Sequence, residues 1–135
     1  MKRIFWAVLA ITVSAAACSD PVPPTTPTPA VPTINETFSD TLLVGGANTH
    51  QFLVTQIGGV KVTLDSVSPS AAVGLGIGFP SLGSCSLLDR MQTVAAGNTV
   101  LFSGTANAPG NLCVLIFDIG NLVEPTAYTI NVLHS

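Results

Sequence analysis

Charge is what this sequence most lacks. Lysine, arginine, aspartate and glutamate make up 8% of its 135 residues, against roughly 25% in ordinary globular chains. With 47% hydrophobic residues, that composition excludes a disordered chain, which needs the opposite balance. Cations are scarcest: Lys2, Arg3, Lys61 and Arg90 are all there are. They form no basic patch, so the phosphate neutralisation that drives nucleic-acid affinity is excluded. Histidine is limited to His50 and His134, and no G-x-S-x-G occurs, which leaves nucleophilic hydrolysis without an elbow and nearly without a base. Both histidines read as surface residues. No C-x-x-C or H-x-x-x-H spacing offers a zinc site. Trp6 is the only tryptophan and Tyr128 the only tyrosine, too few for the stacking platforms of a strong glycan binder. Phe52, Phe79, Phe102 and Phe117 fall in strand patterns and read as core. No segment carries a helical stripe of ten residues.

What is present begins with "MKRIFWAVLAITVSAAAC". Lys2 and Arg3 form a positive start, Ile4 to Val13 an apolar stretch, and Ala15 to Ala17 the small residues that a signal peptidase needs. The uncharged stretch from Ile4 to Ala17 is 14 residues, short of the about 20 that span a bilayer. Small residues directly before Cys18 resemble the lipobox of bacterial lipoproteins, with Ala15 where that motif usually has leucine. The resemblance implies cleavage before Cys18 and lipidation of it. The alternative is ordinary cleavage near Ala17 and release. By the enteric sorting rule, aspartate directly after the cysteine implies inner-membrane retention. Ser19 stands there, with Asp20 one place too late, which points to the outer membrane.

Residues 20 to 33 hold six prolines and four threonines. Proline fixes φ and lacks an N–H, so this tract favours extended polyproline II, a semi-rigid spacer of about 3 Å per residue. The expected organisation is a signal peptide at 1–17, an anchor cysteine and stalk at 18–33, and one domain at 34–135. Once 1–17 is removed, Lys61 and Arg90 face seven carboxylates.

From Ile34 onward the hydrophobic period is two. "VKVTLDSV" sets Val60, Val62 and Leu64 against Lys61, Thr63 and Asp65, the pattern of a half-buried antiparallel strand. "AYTINVLH" alternates likewise, and "NLCVLIFDI" is continuously apolar, as in a strand buried on both faces. "HQFLVT" and "TVLFSG" add two more, with weaker strands near "TFSDTLL" and "RMQTVA". In "VGLGIGF", Gly74, Gly76 and Gly78 occupy one whole face, which leaves room for something to lie close. Two readings stay open: packing against another backbone or the Cys85 loop, or a shallow groove for an extended ligand. "IGGV" and "AGNT" read as tight turns, "VSPSA" and "APGN" as longer connections. About eight short strands predict an all-β, two-sheet antiparallel sandwich.

The order "HQFLV", "GGVKVTL", "VGLGIGF", "APGNLCVLIFD", "YTINV" resembles the bacterial pre-peptidase C-terminal domain family over residues 36 to 133. Leu112 and Cys113 stand where that family usually has tyrosines. The resemblance implies a jelly-roll-like sandwich with binding, targeting or solubility roles rather than catalysis. Some members bind calcium or polymers, but no ligand cluster carries over to this chain.

Three cysteines are odd in number for an exported protein. Lipidation of Cys18 leaves Cys85 and Cys113 to pair, which an oxidising compartment favours. Two buried free thiols are the alternative. Glu36, Asp40, Asp65, Asp89 and Asp118 scatter near strand ends as rim charges, and Glu124 has no visible partner. Calcium is the one cofactor this leaves open, with no ligands chosen.

The sequence therefore predicts a non-enzymatic envelope lipoprotein whose sandwich binds, adheres or serves as structure. Its partners would be the membrane, through the lipid, and an extracellular or periplasmic protein or polymer, with no nucleic acid. The alternative is a released accessory module that binds calcium or a polymer.

Overall fold

The computed structural model describes residues 24–93 and 99–135, and the side chains of all of these but 89–93 and 99–100. Eight strands follow in order: β1 (Ile34–Leu42), β2 (Ala47–Val54), β3 (Gly58–Ser68), β4 (Val73–Ser81), β5 (Ser84–Thr93), β6 (Thr99–Ala106), β7 (Gly110–Asp118) and β8 (Thr126–His134). They form two antiparallel sheets of four, ordered β1-β8-β3-β6 and β2-β7-β4-β5.

This order has a simple origin. β1 pairs with β8, β2 with β7, β3 with β6 and β4 with β5. The chain is one long antiparallel ribbon, closed at the β4–β5 hairpin and rolled up so that β3 also meets β8 and β4 meets β7. Such a rolled ribbon is a jelly roll. The all-β sandwich expected from the period-two pattern is present.

The core lies between the sheets. Val60, Val62 and Leu64 of β3 and Ile130 and Val132 of β8 face Val73, Leu75 and Ile77 of β4 and Val114 and Ile116 of β7. Each such side chain stabilises by about 1.5–3 kcal/mol when fully buried. β3 follows the alternation that period two demands, shifting where a bulge falls between Leu64 and Ser66.

Several turns differ from expectation. Gly58 and Gly59 of "IGGV" belong to β3, paired with Ala106 and Thr105 of β6. Ala30 adds to their pairing: its N–H donates to the Ile57 carbonyl at 2.8 Å, and its carbonyl accepts from Gly59 at 3.1 Å. Thr33 also donates to the His134 carbonyl at 2.9 Å. The end of the proline tract is thus fastened to the domain ahead of Ile34. "AGNT" falls mostly outside the described residues. The Cys85 loop, "SLGSCSLL", is instead the β4–β5 hairpin and the start of β5: Leu82 (φ 48°) and Gly83 (φ 80°) turn between the paired Ser81 and Ser84. Positive φ at both positions is a type I′ signature. Asparagine usually precedes the glycine in such turns, and leucine there hid the hairpin.

The segment 1–17 and Cys18 lie outside the described residues.

Candidate functional site

Cys85 and Cys113 are joined by a disulfide. Cys85 lies on β5 and Cys113 on β7, with β4 between them. Strands two places apart in a flat sheet stand roughly 9.5 Å apart, yet the two Cα atoms are 5.9 Å apart. The start of β5 therefore curls over β4. A register shift between Ile77 and Gly78 marks the place. Any Cβ on Gly78 would overlap the Ser86 carbonyl, and one on Gly74 would overlap the Phe117 ring. Gly74, Gly76 and Gly78 are all buried, opposite Phe117, Leu115 and Cys113 of β7 respectively. Neighbouring parts of this chain cover Gly74 and Gly78, so an open groove does not exist at those two positions.

The two flanks of the sandwich differ in chemistry. At the β1/β2 flank, inward positions carry polar groups. The Tyr128 hydroxyl accepts from Asn48 Nδ2 at 3.0 Å and lies 2.6 Å from His50 Nε2. Asn48 Nδ2 also donates to the Thr41 carbonyl, and Phe38 stacks on His50 with centroids 4.8 Å apart. Burial pushes the His50 pKa below its usual value, against a smaller upward pull from Asp40. Burial raises Tyr128. A neutral His50 whose Nε2 accepts a hydrogen bond from the Tyr128 hydroxyl satisfies the network. The ring thus closes the flank, and its Nε2 is taken up by the tyrosine.

His134 is 1% exposed, and its Nε2 lies 2.8 Å from Glu36 Oε1. His134 therefore corrects the expectation of a surface residue, and His50 is half-buried rather than fully exposed. The alternation Asn48-x-His50-x-Phe52-x-Val54 carried the signal, since it puts His50 on the line of the core residues.

Not all carboxylates are bare rim charges either. Asp65 Oδ2 accepts from Asn131 Nδ2 at 3.2 Å. Asp118 Oδ1 accepts from the N–H groups of Gly120, Asn121 and Leu122, while Oδ2 accepts from Gly45 at 2.8 Å. These bonds, Gly45 first, hold the Asp118 pKa below the usual carboxylate range. Among the described residues, no three metal-ligating side chains gather in one place.

Among the described residues, the β5/β6 flank has a cleft at the end where β4 and β5 meet. It has a volume of about 320 Å³ and enters between the sheets. Phe79 and Leu88 line it from one sheet, Val60 and Phe102 from the other, and Pro109 and Leu112 from the β6–β7 side. Thr105, Asn107 and Asn111 supply its polar groups. For scale, a dry cavity of about 150 Å³ admits benzene, and ligand sites start at about 300 Å³. Phe79 is 52% exposed and Leu88 66%. Phe79 is thus a cleft residue, which corrects its reading as core: the pairing of β4 with β7 ends at Gly78, and Phe79 lies one residue beyond it at the cleft. An apolar residue in strand alternation gives no warning of where the pairing beside it ends.

Comparison with known proteins finds no matching family model and no matching curated protein.

Proposed function

We propose that this chain is a non-enzymatic cell-envelope lipoprotein, anchored through Cys18 and displaying a jelly-roll binding module on a proline-threonine stalk. One observation carries the reading: Cys18 directly follows a charged, apolar and small-residue leader, and it is the cysteine that the Cys85–Cys113 bridge does not use. A disulfide of this kind suits an oxidising, exported location. Ser19 favours the outer membrane. The likeness to pre-peptidase C-terminal domains belongs to the same proposal, as a module that binds rather than reacts. The apolar cleft at the β5/β6 flank is the binding surface we assign, with Phe79 and Leu88 supplying apolar contact and Asn107 and Asn111 orienting hydrogen bonds.

Inhibiting signal peptidase II in the producing cells tests the anchor. The expected result is accumulation of the uncleaved precursor. Unchanged mature size and unchanged membrane fractionation contradict the lipoprotein reading and favour the released module.

A further inference from the structure

We propose that the end of the jelly roll where the stalk joins is a membrane-docking surface, with Leu82, Phe79 and Leu88 seated among lipid acyl chains. The inference rests on the anchored reading above and names the bilayer as what the apolar side chains of the β5/β6 cleft meet. Four observations converge on it.

First, the stalk arrives at that end. Ala30 is bonded between Ile57 and Gly59, and Thr33 to His134. The 12 residues from Cys18 to Pro29 give a polyproline II reach of roughly 37 Å, at about 3.1 Å per residue. Tethering at this range keeps the domain at high effective concentration beside the bilayer, so a weak surface contact is enough to orient it.

Second, apolar side chains crowd the same end. The registers place the β2–β3 turn, the β4–β5 hairpin and the β6–β7 connection there together. Val31, Leu53, Phe79, Leu82 and Leu88 are exposed on it. The cleft opens among them, and its lining joins Phe79 and Leu88 to Pro109.

Third, charge is sorted along the molecule. Among the described side chains, the stalk end has Lys61 and one carboxylate, Glu36, which His134 engages. Asp65 sits past the middle of β3, bonded to Asn131. Asp40, Asp118 and Glu124 lie toward the opposite end, in the second half of β1 and around the β7–β8 connection. That end also exposes Leu43, Val44 and Val123, but these sit among carboxylates that an anionic bilayer repels.

Fourth, Leu82 is placed against the interests of folding. It is fully exposed at φ 48°, where asparagine is favoured and a branched apolar residue gains nothing in water. An unfavourable backbone conformation held by a bare leucine at a loop tip points to a contact outside the fold. A bilayer is the partner that accepts several separate apolar tips without matching their shape.

Two reporters test the proposal, each expressed from the full-length precursor with Trp6→Phe so that the new tryptophan is the only one whether or not residues 1–17 are removed: Phe79→Trp at the stalk end and Val123→Trp at the opposite end. The chain is reconstituted in phosphatidylethanolamine/phosphatidylglycerol vesicles with bromines about 5–10 Å below the phosphates. Docking gives blue-shifted, quenched emission from Phe79→Trp and unchanged emission from Val123→Trp. Adding Leu82→Asn, which suits the turn, reduces the quenching while folding is retained. Equal response of both reporters, or none at Phe79→Trp in chain that is vesicle-bound, overturns docking and leaves the anchor standing. Quenching of Phe79→Trp in unlipidated Cys18→Ala chain added to the same vesicles supports docking even if native Cys18 proves unmodified.

Discussion

Gly78 lies beneath the backbone of Ser86. The overlap that any Cβ there would make is with a carbonyl oxygen, and the neighbouring Cys85 is tied to Cys113, so β5 cannot lift away. At Gly74 the obstacle is the far edge of the Phe117 ring, which can rotate. Gly78→Ala should therefore destabilise by about 1–3 kcal/mol, the ordinary range for overpacking, and Gly74→Ala by less. Urea unfolding of the two variants checks the order. A larger loss at Gly74 would show that the ring is the fixed element.

The disulfide closes a separation of 28 residues. In the chain-entropy model this restricts the unfolded state by roughly 3–4 kcal/mol. A Cys85→Ala/Cys113→Ala chain should lose stability of that order and leave β5 free to rise from Gly78. In that background Gly78→Ala should cost less than in the bridged protein, because the two sites share one backbone segment. Thermal unfolding of the four variants closes the cycle.

Asp118 draws the β7–β8 connection and the β1–β2 turn together through Gly45, Leu122, Gly120 and Asn121. Its pKa is lowered in the folded state, so the unfolded state takes up its proton first as the pH falls. Its contribution to stability is full above the unfolded value of about 3.9 and is lost as the pH falls through the lower folded value. Asp118→Asn should flatten the acid limb of a stability–pH curve and loosen the 119–125 amides in hydrogen exchange. An acid limb unchanged from wild type would remove Asp118 from the account.

At the hairpin tip, leucine holds a left-handed conformation that costs roughly 1–2 kcal/mol for ordinary residues and less for asparagine. Leu82→Asn should raise the melting temperature. A drop would mean that Leu82 makes a folding contact after all.

The strands were legible because alternation is a local property: Val60-Val62-Leu64 and Tyr128-Ile130-Val132 need no knowledge of the partner strand to read as half-buried. Cys85 and Cys113 were legible as a pair from compartment chemistry. Three features were not. Phe79 alternates like its core neighbours, and it lies just past where the pairing of β4 with β7 ends, which no neighbour in sequence reports. The Leu82-Gly83 turn lacks asparagine, the residue that usually announces it. Ala30 bonds to Gly59 across an interval in which "IGGV" looks like a turn, and long-range pairing makes it strand.

The central claim is an anchored chain, and intact mass spectrometry of the protein extracted from its native membranes tests it most directly. The account predicts a mature chain that begins at Cys18, carries the added mass of a lipid there, and yields an unreduced peptide linking Cys85 to Cys113. A soluble chain with an unmodified N-terminus near residue 18 would contradict it.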